Sequence, residues 1–454
     1  MITSISPTDE RLLAEYEETR PDEVRRHIET ASRLQKNWEL VPIADRAVPM
    51  LEAARLLEER RQELANLMAD EMGKPLAQGL GEVDKCAWAC RHYAANAERI
   101  LADQHIAADR TASYVAYRPL GVVLAVMPWN FPLWQVFRFV APALMAGNGG
   151  LLKHASNVTG SALAIDSVLV DAGFPDGLFR TLVLPSSRVD EVLEHPSVVA
   201  ATLTGSDPAG RAVAAKCGSL LKKTVLELGG SDPYIVLADA DLAMAAETCA
   251  TSRLINGGQS CIAAKRFIVE APVADEFTDL FAEAMAKSVM GDPKDPSTTL
   301  GPMARIDLRD ELHAQVEATI AAGAKLVLGG EVPDGPGAFY PATLLAGVED
   351  GMPVYREETF GPVAAVITAR DLDDAVRIAN DSDFGLGAAI FTSDVERGEQ
   401  VARDRLQAGA CFVNAFVASD PRLPFGGIKM SGYGRELADI GMREFLNIKT
   451  VVVA

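Results

Sequence analysis

Apolar residues recur every three or four positions through the first quarter of the chain, which is the spacing of amphipathic helices. The pattern extends from Pro21 to about Leu101 and is clearest at Leu51, Leu56, Leu57, Leu64 and Leu67. Gly73-Lys74-Pro75 interrupts it, as expected at a helix end. Cys86 and Cys90 are one helical turn apart in this region, and we interpret them as small apolar residues on a buried face.

Beyond this region the pattern changes to short β-rich runs. Ala112 to Met127 predicts two strands with a turn near Pro119-Leu120-Gly121, and β-rich runs then alternate with helical ones. Such alternation predicts parallel βαβ units in an α/β protein, with ligands at the carboxyl ends of the strands. A second alternating series follows from Pro233 to about Ala418. We therefore expect two α/β units with a site between them and a boundary near Gly229-Gly230.

The amino-acid composition and net charge limit which kinds of partner the protein is expected to bind. Of the 454 residues, 48% are hydrophobic and 23% are charged, with 43 Lys and Arg against 63 Asp and Glu. A net charge of −20 without a basic run argues against nucleic acid and anionic membranes as main partners. The longest apolar runs fall far short of the ~20 residues of a membrane span, and no basic or apolar leader opens the chain, so we expect a cytoplasmic protein.

The usual phosphate-binding fingerprints are absent from the sequence. Neither a P-loop nor a well-formed Gly-x-Gly-x-x-Gly is present, because Gly147-Asn148-Gly149-Gly150 precedes a strand instead of following one. Gly205-Ser206 does follow a β-rich run and opens a predicted helix at Asp207. A helix N-terminus there could bind a phosphate, although an ordinary capped helix explains the same residues.

Cys261 differs from the other cysteines in its surroundings. It follows Asn256-Gly257-Gly258, where a helix should end, and precedes a strand, so a short connection would carry its thiol. Six scattered cysteines form neither a disulfide framework nor a zinc pattern, and we expect no metal. None of the histidines (27, 92, 105, 154, 195 and 313) lies in a recognisable base motif. A carboxylate is the other possible base, and Glu227, before Gly229-Gly230, is either such a base or an edge residue that faces water.

Taken together and in this order, the motifs resemble those of the aldehyde dehydrogenase superfamily over nearly the whole chain. The seven matching segments are Pro128-Trp129-Asn130-Phe131-Pro132, Lys153 to Ser156, Gly205-Ser206, Glu227-Leu228-Gly229-Gly230, Gly258-Gln259-Ser260-Cys261, Glu358-Thr359-Phe360-Gly361-Pro362 and Pro424-Phe425-Gly426-Gly427. The resemblance implies an α/β fold with a Rossmann-type cofactor domain, an α/β catalytic domain and a small β oligomerisation element.

The resemblance also implies the catalytic roles. Cys261 would attack the aldehyde carbonyl, and the Asn130 amide with the Cys261 backbone N–H would bind the resulting oxyanion. After hydride transfer to nicotinamide, Glu227 would act as general base in hydrolysis of the thioester. A thiol-dependent esterase or other hydrolase could use the same cysteine and glutamate, but it would leave the cofactor motifs without a function.

The family's cofactor contacts transfer to eleven positions. They are Trp129, Asn130, Lys153, His154, Ala155, Ser156, Gly205, Ser206, Leu228, Glu358 and Phe360. NAD-preferring members commonly have an acidic residue three positions after the lysine, where this chain has Ser156. A neutral hydroxyl does not repel a 2′-phosphate and Lys153 attracts it, so we expect NADP, with NAD as a possible secondary cofactor.

Two residues suggest the substrate. Arg138, eight positions after Asn130, and Ser419 match carboxylate-binding positions of bacterial succinate-semialdehyde dehydrogenases, which the segments 131–138 and 153–158 also resemble. A guanidinium at the tunnel mouth would bind the distal carboxylate of a semialdehyde. Ile255 departs from the pattern, since some members have arginine there. Glutarate semialdehyde or another small aldehyde is the alternative substrate.

The resemblance also predicts a domain division and an assembly. Residues 1–110 and 120–229 would form the cofactor domain, 230–429 the catalytic domain, and 111–119 with 446–454 the oligomerisation strands. The strands around Ala112 to Arg118 and Asn447 to Val453 would exchange contacts between subunits in a homodimer or homotetramer.

Overall fold

The computed structural model describes residues 1–454 and begins with a strand pair followed by four helices. These elements are β1 Ile2–Ile5, β2 Leu12–Tyr16, α1 Pro21–Trp38, α2 Ile43–Glu59, α3 Arg61–Met72 and α4 Leu76–Leu101. The predicted helical region is confirmed, and Gly73 ends α3 in the left-handed conformation with φ 74°. Cys86 and Cys90 are both 0% exposed, which confirms their place on the buried face of α4.

The next segment alternates strands with helices, as predicted. It contains β3 Gln104–His105, β4 Ala112–Pro119, β5 Val122–Met127, α5 Trp134–Met145, β6 Gly149–His154, α6 Thr159–Asp171, β7 Phe179–Thr181, α7 Val189–Glu194, β8 Val198–Thr204, α8 Asp207–Ser219 and β9 Lys223–Glu227.

The rest of the chain forms the second alternating series and a C-terminal extension. Its elements are β10 Pro233–Val236, α9 Leu242–Leu254, β11 Arg266–Glu270, α10 Ala274–Ala286, α11 Ile306–Ala321, β12 Lys325–Leu328, β13 Thr343–Ala346, α12 Pro353–Arg356, β14 Val363–Ala369, α13 Leu372–Asn380, β15 Phe384–Gly385, β16 Gly387–Phe391, α14 Val395–Asp404, β17 Ala410–Val413, β18 Ile428–Lys429, β19 Gly432–Tyr433, α15 Ala438–Arg443 and β20 Leu446–Val453.

Two largely parallel sheets organise these elements. The first has the strand order β19-β9-β8-β5-β6-β7, and the second has the order β12-β13-β14-β11-β10-β16-β17. In the first, the chain runs outward from β5 through β6 to β7 and then returns to the other side of β5 with β8. The gap beyond the carboxyl ends of β5 and β8 is therefore a topological switch point, where α/β sheets bind ligands.

Both sheets are buried on their two faces, as parallel sheets require. Along β5, Val123 and Ala125 belong to the apolar cluster on one face, whereas Val122 and Leu124 belong to the cluster on the other. This alternation follows from the two-residue period of a strand. The predicted α/β class is confirmed, and the sheets form a rigid frame for the loops that leave their strands.

The division into domains remains a prediction. The order of the strands supports a boundary near residue 229. The last parallel strand of the first sheet, β9, ends at Glu227, and β10 of the second sheet begins at Pro233. Beyond residue 429, however, β19 returns to the edge of the first sheet beside β9. The predicted domain boundaries leave this contribution out.

The predicted oligomerisation strands pair with each other within one chain. β20 lies antiparallel to β4 in continuous register from Leu446–Pro119 to Val453–Ala112, and β3 adds a short third strand that the predicted range 111–119 did not include. The outer edge of β20 remains free and exposes Ile448, Val452 and Val453. No helix in the structure combines the length and the apolar character needed to cross a bilayer.

Candidate functional site

The loop that carries Cys261 is shaped by three residues with left-handed backbone. α9 ends at Leu254, and Asn256, Gly257 and Gly258 then have φ of 55°, 63° and 73°. A side chain at Gly258 would place its Cβ 2.2 Å from the carbonyl oxygen of Gly361, so only glycine fits this approach. The predicted end of the helix is confirmed, and the chain leaves it on the short connection that presents Cys261.

Cys261 lies in the walls of two pockets. One, which we call the α4 pocket, has a volume of about 260 Å³. The other, which we call the switch-point cleft, has a volume of about 230 Å³ and opens beyond the carboxyl ends of β5 and β8. The α4 pocket is lined mainly by Gln78, Lys85, Phe131, Trp134, Arg138, Ile255, Ile262, Phe416, Ser419 and Phe425, and the cleft by Trp129, Asn130, Thr204, Gly205, Ser206, Leu228, Glu358 and Phe360. Cys261 is therefore within reach of a ligand in the α4 pocket and of a second ligand in the switch-point cleft.

The surroundings of Cys261 act on its ionisation in opposite directions. Burial raises the pKa of the Cys261 thiol to about 12, against the opposing effect of the positive charges of Arg138 and Lys265. Lys265 also fixes the loop, because its ammonium group donates to the Ser260 carbonyl at 3.0 Å and the Cys261 carbonyl at 2.7 Å. Arg138 and Lys265 are the groups that favour the thiolate over the thiol at this position.

Two hydrogen-bond donors lie beside the thiol. The Asn130 side chain donates through Nδ2 to the carbonyl of Gln259 at 3.1 Å, which holds the amide against the cysteine loop. Its backbone carbonyl in turn accepts from Asn256 Nδ2 at 2.7 Å. The Cys261 backbone N–H makes no hydrogen bond within the chain. The site thus offers an oriented amide and a free backbone N–H to a developing oxyanion.

Glu227 ends β9 and is 1% exposed. Neither of its carboxyl oxygens has a hydrogen-bond partner. Burial and the nearby Glu436 carboxyl raise the pKa of Glu227 well above the ordinary value for glutamate. Glu227 does not line either pocket.

The N-terminus of α8 faces the switch-point cleft with unpaired donors. Ser206 occupies the N-cap position, but its hydroxyl makes no capping bond, contrary to the capping role that the sequence suggested. The backbone N–H groups of Ser206, Asp207 and Ala209 have no acceptor in the chain. Free N–H groups at the positive end of a helix dipole suit a phosphate.

The opposite wall of the cleft is held by Glu358. Its carboxylate accepts from the Gly230 N–H at 2.8 Å and lies 3.4 Å from the Lys265 ammonium. A Cβ on Gly229 would clash with a Glu358 carboxylate oxygen, so a larger residue there would displace this carboxylate. Nearby, the Trp129 and Phe360 rings meet edge to face with centroids 5.7 Å apart, which closes one end of the cleft.

The end of β6 and the turn that follows it place the four predicted cofactor residues differently. Lys153 is 5% exposed, donates to Ser186 Oγ at 3.2 Å and has no carboxylate partner, and burial lowers its pKa. The His154 ring is directed inward, with Nε2 2.9 Å from the Pro132 carbonyl and Nδ1 accepting from Ala155 N–H, and burial lowers its pKa to about 4. Ser156 is exposed at the start of a 3-10 turn. Lys153 and Ser156 therefore have side chains available to a ligand, and His154 does not.

The two predicted carboxylate-binding residues both line the α4 pocket. Arg138 is 2% exposed and forms an ion pair with Glu436, and its Nη2 donates to Thr204 Oγ1 at 3.1 Å. Its guanidinium is thus enclosed, in contrast to the expected place at the tunnel mouth, and already has a carboxylate partner. Ser419 accepts a hydrogen bond from Lys85 Nζ at 2.7 Å.

Three charged residues of the site were not identified from the sequence. Lys85, Lys265 and Glu436 lie in stretches whose charges resemble ordinary solvated positions, yet each packs against the pockets or their predicted residues. Lys85 alone carried a signal, because it adjoins Cys86 on a face predicted to be buried. None of the six histidines lines either pocket, and no cluster of three or more His, Cys, Asp or Glu side chains is arranged to hold a metal.

Comparison with known proteins agrees with this geometry. Residues 1–451 match the model of the Aldehyde dehydrogenase family. A probable succinate-semialdehyde dehydrogenase [NADP(+)] of Synechocystis is 49% identical over 453 residues, covering 100% of both chains. Succinate-semialdehyde dehydrogenase [NADP(+)] 1 of Mycobacterium tuberculosis is 50% identical over 456 residues, again with 100% of each chain covered.

A solved structure gives the same result for the fold. The succinic semialdehyde dehydrogenase from Streptococcus pyogenes, in complex with NADP+ as the cofactor, superposes with a TM-score of 0.98 at 36% identity, and 100% of each chain is covered. Family model, full-length relatives and fold agree, and the chain belongs to the aldehyde dehydrogenase family.

Proposed function

We propose that the protein oxidises succinate semialdehyde to succinate with NADP. The observation that carries the proposal is the position of Cys261 in the walls of both pockets, which lets one thiol meet an aldehyde on one side and a nicotinamide on the other. The full-length relatives at 49% and 50% identity bear names with this substrate and cofactor.

Cys261 is the nucleophile of this reaction. Its thiolate adds to the aldehyde carbon, and the carbonyl oxygen becomes the oxyanion of a tetrahedral thiohemiacetal. Asn130 Nδ2 and the free Cys261 N–H are placed to donate to that oxygen, so they stabilise charge that is absent from the substrate. When bound, the nicotinamide supplies the acceptor for the hydride that leaves the thiohemiacetal carbon.

Glu227 serves as the general base. Hydride loss leaves a thioester on Cys261, and water must lose a proton to attack it, after which the C–S bond breaks and the carboxylic acid and thiol are released. A buried carboxyl without hydrogen-bond partners and with a raised pKa holds a proton readily, as a base requires. Rotation from its buried position brings the carboxylate toward the thioester.

The residues of the switch-point cleft fit a dinucleotide phosphate. The unpaired N–H groups at the start of α8 provide donors for the pyrophosphate. Lys153 has no carboxylate partner, and the exposed Ser156 replaces an acidic side chain, so both favour a 2′-phosphate. Trp129, Leu228, Glu358 and Phe360 complete the walls, while His154 and Ala155 contribute the backbone of the same turn. NAD is the secondary cofactor.

The α4 pocket suits a short aldehyde that carries a carboxylate. Its walls are mostly apolar, and its cations are Lys85 and Arg138, of which Arg138 is already paired with Glu436. The Ser419 hydroxyl accepts from Lys85 and can donate its own proton to a ligand. An apolar surround strengthens the attraction of these cations for an anion. Glutarate semialdehyde, or another small aldehyde, is the alternative substrate, and a thiol-dependent hydrolase is the alternative reaction.

We expect Ser156→Glu to shift the cofactor preference toward NAD. A carboxylate at this exposed position repels a 2′-phosphate and can accept hydrogen bonds from ribose hydroxyls. The ratio of kcat/KM with NADP to kcat/KM with NAD should fall about tenfold or more, equivalent to ~1.4 kcal/mol. Ser297→Glu adds the same charge on an exposed loop that lines neither pocket, and it should leave the ratio unchanged. An unchanged ratio in Ser156→Glu would exclude this position from 2′-phosphate selection.

The free edge of β20 and its exposed apolar residues support a homodimer or homotetramer, because an unpaired edge strand favours association with another chain.

All six cysteines are unpaired thiols, which agrees with a reducing, cytoplasmic location.

The test of the proposed function is an initial-rate assay of reduced nicotinamide formation. Succinate semialdehyde and butanal, an uncharged aldehyde with the same number of carbons, are each assayed with NADP and with NAD. We expect the highest kcat/KM for succinate semialdehyde with NADP. A higher value for butanal would overturn the substrate, a higher value with NAD would overturn the cofactor, and ester hydrolysis without reduction of either cofactor would favour the hydrolase.

A further inference from the structure

Lys85 is a cation of the α4 pocket without a carboxylate partner. It extends from α4, its ammonium group donates to Ser419 Oγ at 2.7 Å, and the same group lies 4.5 Å from the centroid of the Trp134 ring. These contacts place the ammonium among pocket-lining side chains. A hydroxyl and an aromatic face hold it in position, but neither neutralises its charge.

The carboxylates near Lys85 and Ser419 along the chain are committed to other groups. Asp84, the residue before Lys85, binds Arg61 Nη2 at 2.6 Å. Glu82, one turn before Lys85, forms an ion pair with Lys74. It also accepts hydrogen bonds from the backbone N–H groups of Leu133 and Trp134, both at 2.9 Å. Asp420, next to Ser419, binds Arg422 at 2.6 Å. Lys85 forms no ion pair within the chain, which leaves its charge available to an anion bound in the α4 pocket.

Arg138, the other cation of the pocket lining, differs in this respect. Its guanidinium is paired with Glu436 and bonded to Thr204, so its charge is already compensated. Ile255, which lines the same pocket, contributes no charge. Burial lowers the pKa of Lys85 to about 8, and an incoming anion would act in the opposite direction.

We propose that Lys85, together with the Ser419 hydroxyl, binds the carboxylate at the far end of the substrate and selects semialdehydes over uncharged aldehydes. The inference rests on the proposed function, and it makes Lys85 the principal carboxylate-binding cation of the pocket in place of Arg138. An ammonium held by Ser419 and Trp134 is positioned before the substrate arrives, so little side-chain freedom is lost on binding.

Replacement of Lys85 by methionine tests the assignment, because methionine keeps most of the apolar stem and removes the charge. We expect KM for succinate semialdehyde to rise about 10- to 100-fold, the loss typical of a hydrogen bond to a charged group, with kcat changed little. Both constants for butanal should stay within about twofold of the wild type. Lys85→Arg should retain most of the preference. Lys325→Met, which removes an exposed lysine outside both pockets, is the matched control.

A second measurement detects carboxylate binding without semialdehyde turnover. With butanal as the substrate, succinate should inhibit the wild type by competition, and Lys85→Met should raise its inhibition constant by the same factor as KM. An unchanged KM and inhibition constant in the variant would overturn the role of Lys85, as would an equal rise of KM for both aldehydes. Failure of the proposed function is separate, since it would appear as poor turnover of succinate semialdehyde by the wild type.

Discussion

Replacement of Cys261 by alanine is expected to remove NADP-dependent aldehyde oxidation, with kcat lowered at least about 10³-fold. The thiol carries both covalent intermediates, and none of the other five cysteines lines the α4 pocket or the switch-point cleft. No second thiol can therefore take its place. Initial rates of reduced nicotinamide formation at saturating aldehyde measure the effect.

Cys411→Ala is the matched control for this variant. Cys411 is a partly exposed thiol on β17 that lines neither pocket, and its replacement should leave kcat within about twofold. Cofactor binding to the Cys261→Ala variant, followed by quenching of tryptophan fluorescence, should persist because Trp129 and the α8 N-terminus are unchanged. Oxidation at near wild-type rate by the variant would refute Cys261 as nucleophile.

Replacement of Glu227 by glutamine is expected to lower kcat by about 10² to 10⁴-fold, the usual contribution of a general base. Glutamine preserves the volume of this 1% exposed side chain, and the carboxyl oxygens have no hydrogen-bond partner to lose, so the fold should tolerate the change. Because attack on the aldehyde precedes hydrolysis, a single turnover should still release reduced nicotinamide and leave the thioester on Cys261. Mass spectrometry of the quenched enzyme should detect that acyl adduct.

The pH profile provides the second readout for Glu227. A base acts in its ionised form, so activity should fall as the pH drops through its pKa, and burial with the Glu436 repulsion raises that pKa. The acidic limb of the wild-type kcat profile should therefore lie at higher pH than an ordinary glutamate gives, and it should be absent in Glu227→Gln. A glutamine variant that keeps both the limb and the full rate would eliminate Glu227 as base.

The sequence predicted helices well where apolar residues followed one regular spacing or where a clear stop signal marked the end of the helix. Helices α1 to α4 follow a 3.6-residue apolar spacing, and the end of α9 coincides with Asn256-Gly257-Gly258, because left-handed backbone strongly favours glycine and asparagine. The predicted strands and the α/β class were also confirmed. Pairing partners were harder to predict: β4 and β20 are over 300 residues apart, and nothing local specifies that they pair with each other within one chain.

Whether a charged side chain is buried, paired or free depends on packing between distant elements, which no local sequence pattern specifies. Arg138 was expected to face a tunnel mouth, whereas it is enclosed and paired with Glu436, almost 300 positions further along the chain. His154 was included among the cofactor contacts by its position in the motif, and the fold directs its two ring nitrogens to Pro132 and Ala155. Lys85 resembled a solvated helix residue until the fold placed it beside Trp134 and Ser419.

The sequence by itself determined the family, the nucleophile candidate and the cofactor class of this protein, because those depend on residue types at short, ordered spacings. The tertiary structure alone decided that Cys261 is shared by two pockets, that Glu227 is buried without a partner, and that Lys85 lacks a counter-ion. Burial and neighbouring charge set ionisation and availability, and both arise from elements far apart in the chain that the two sheets bring together.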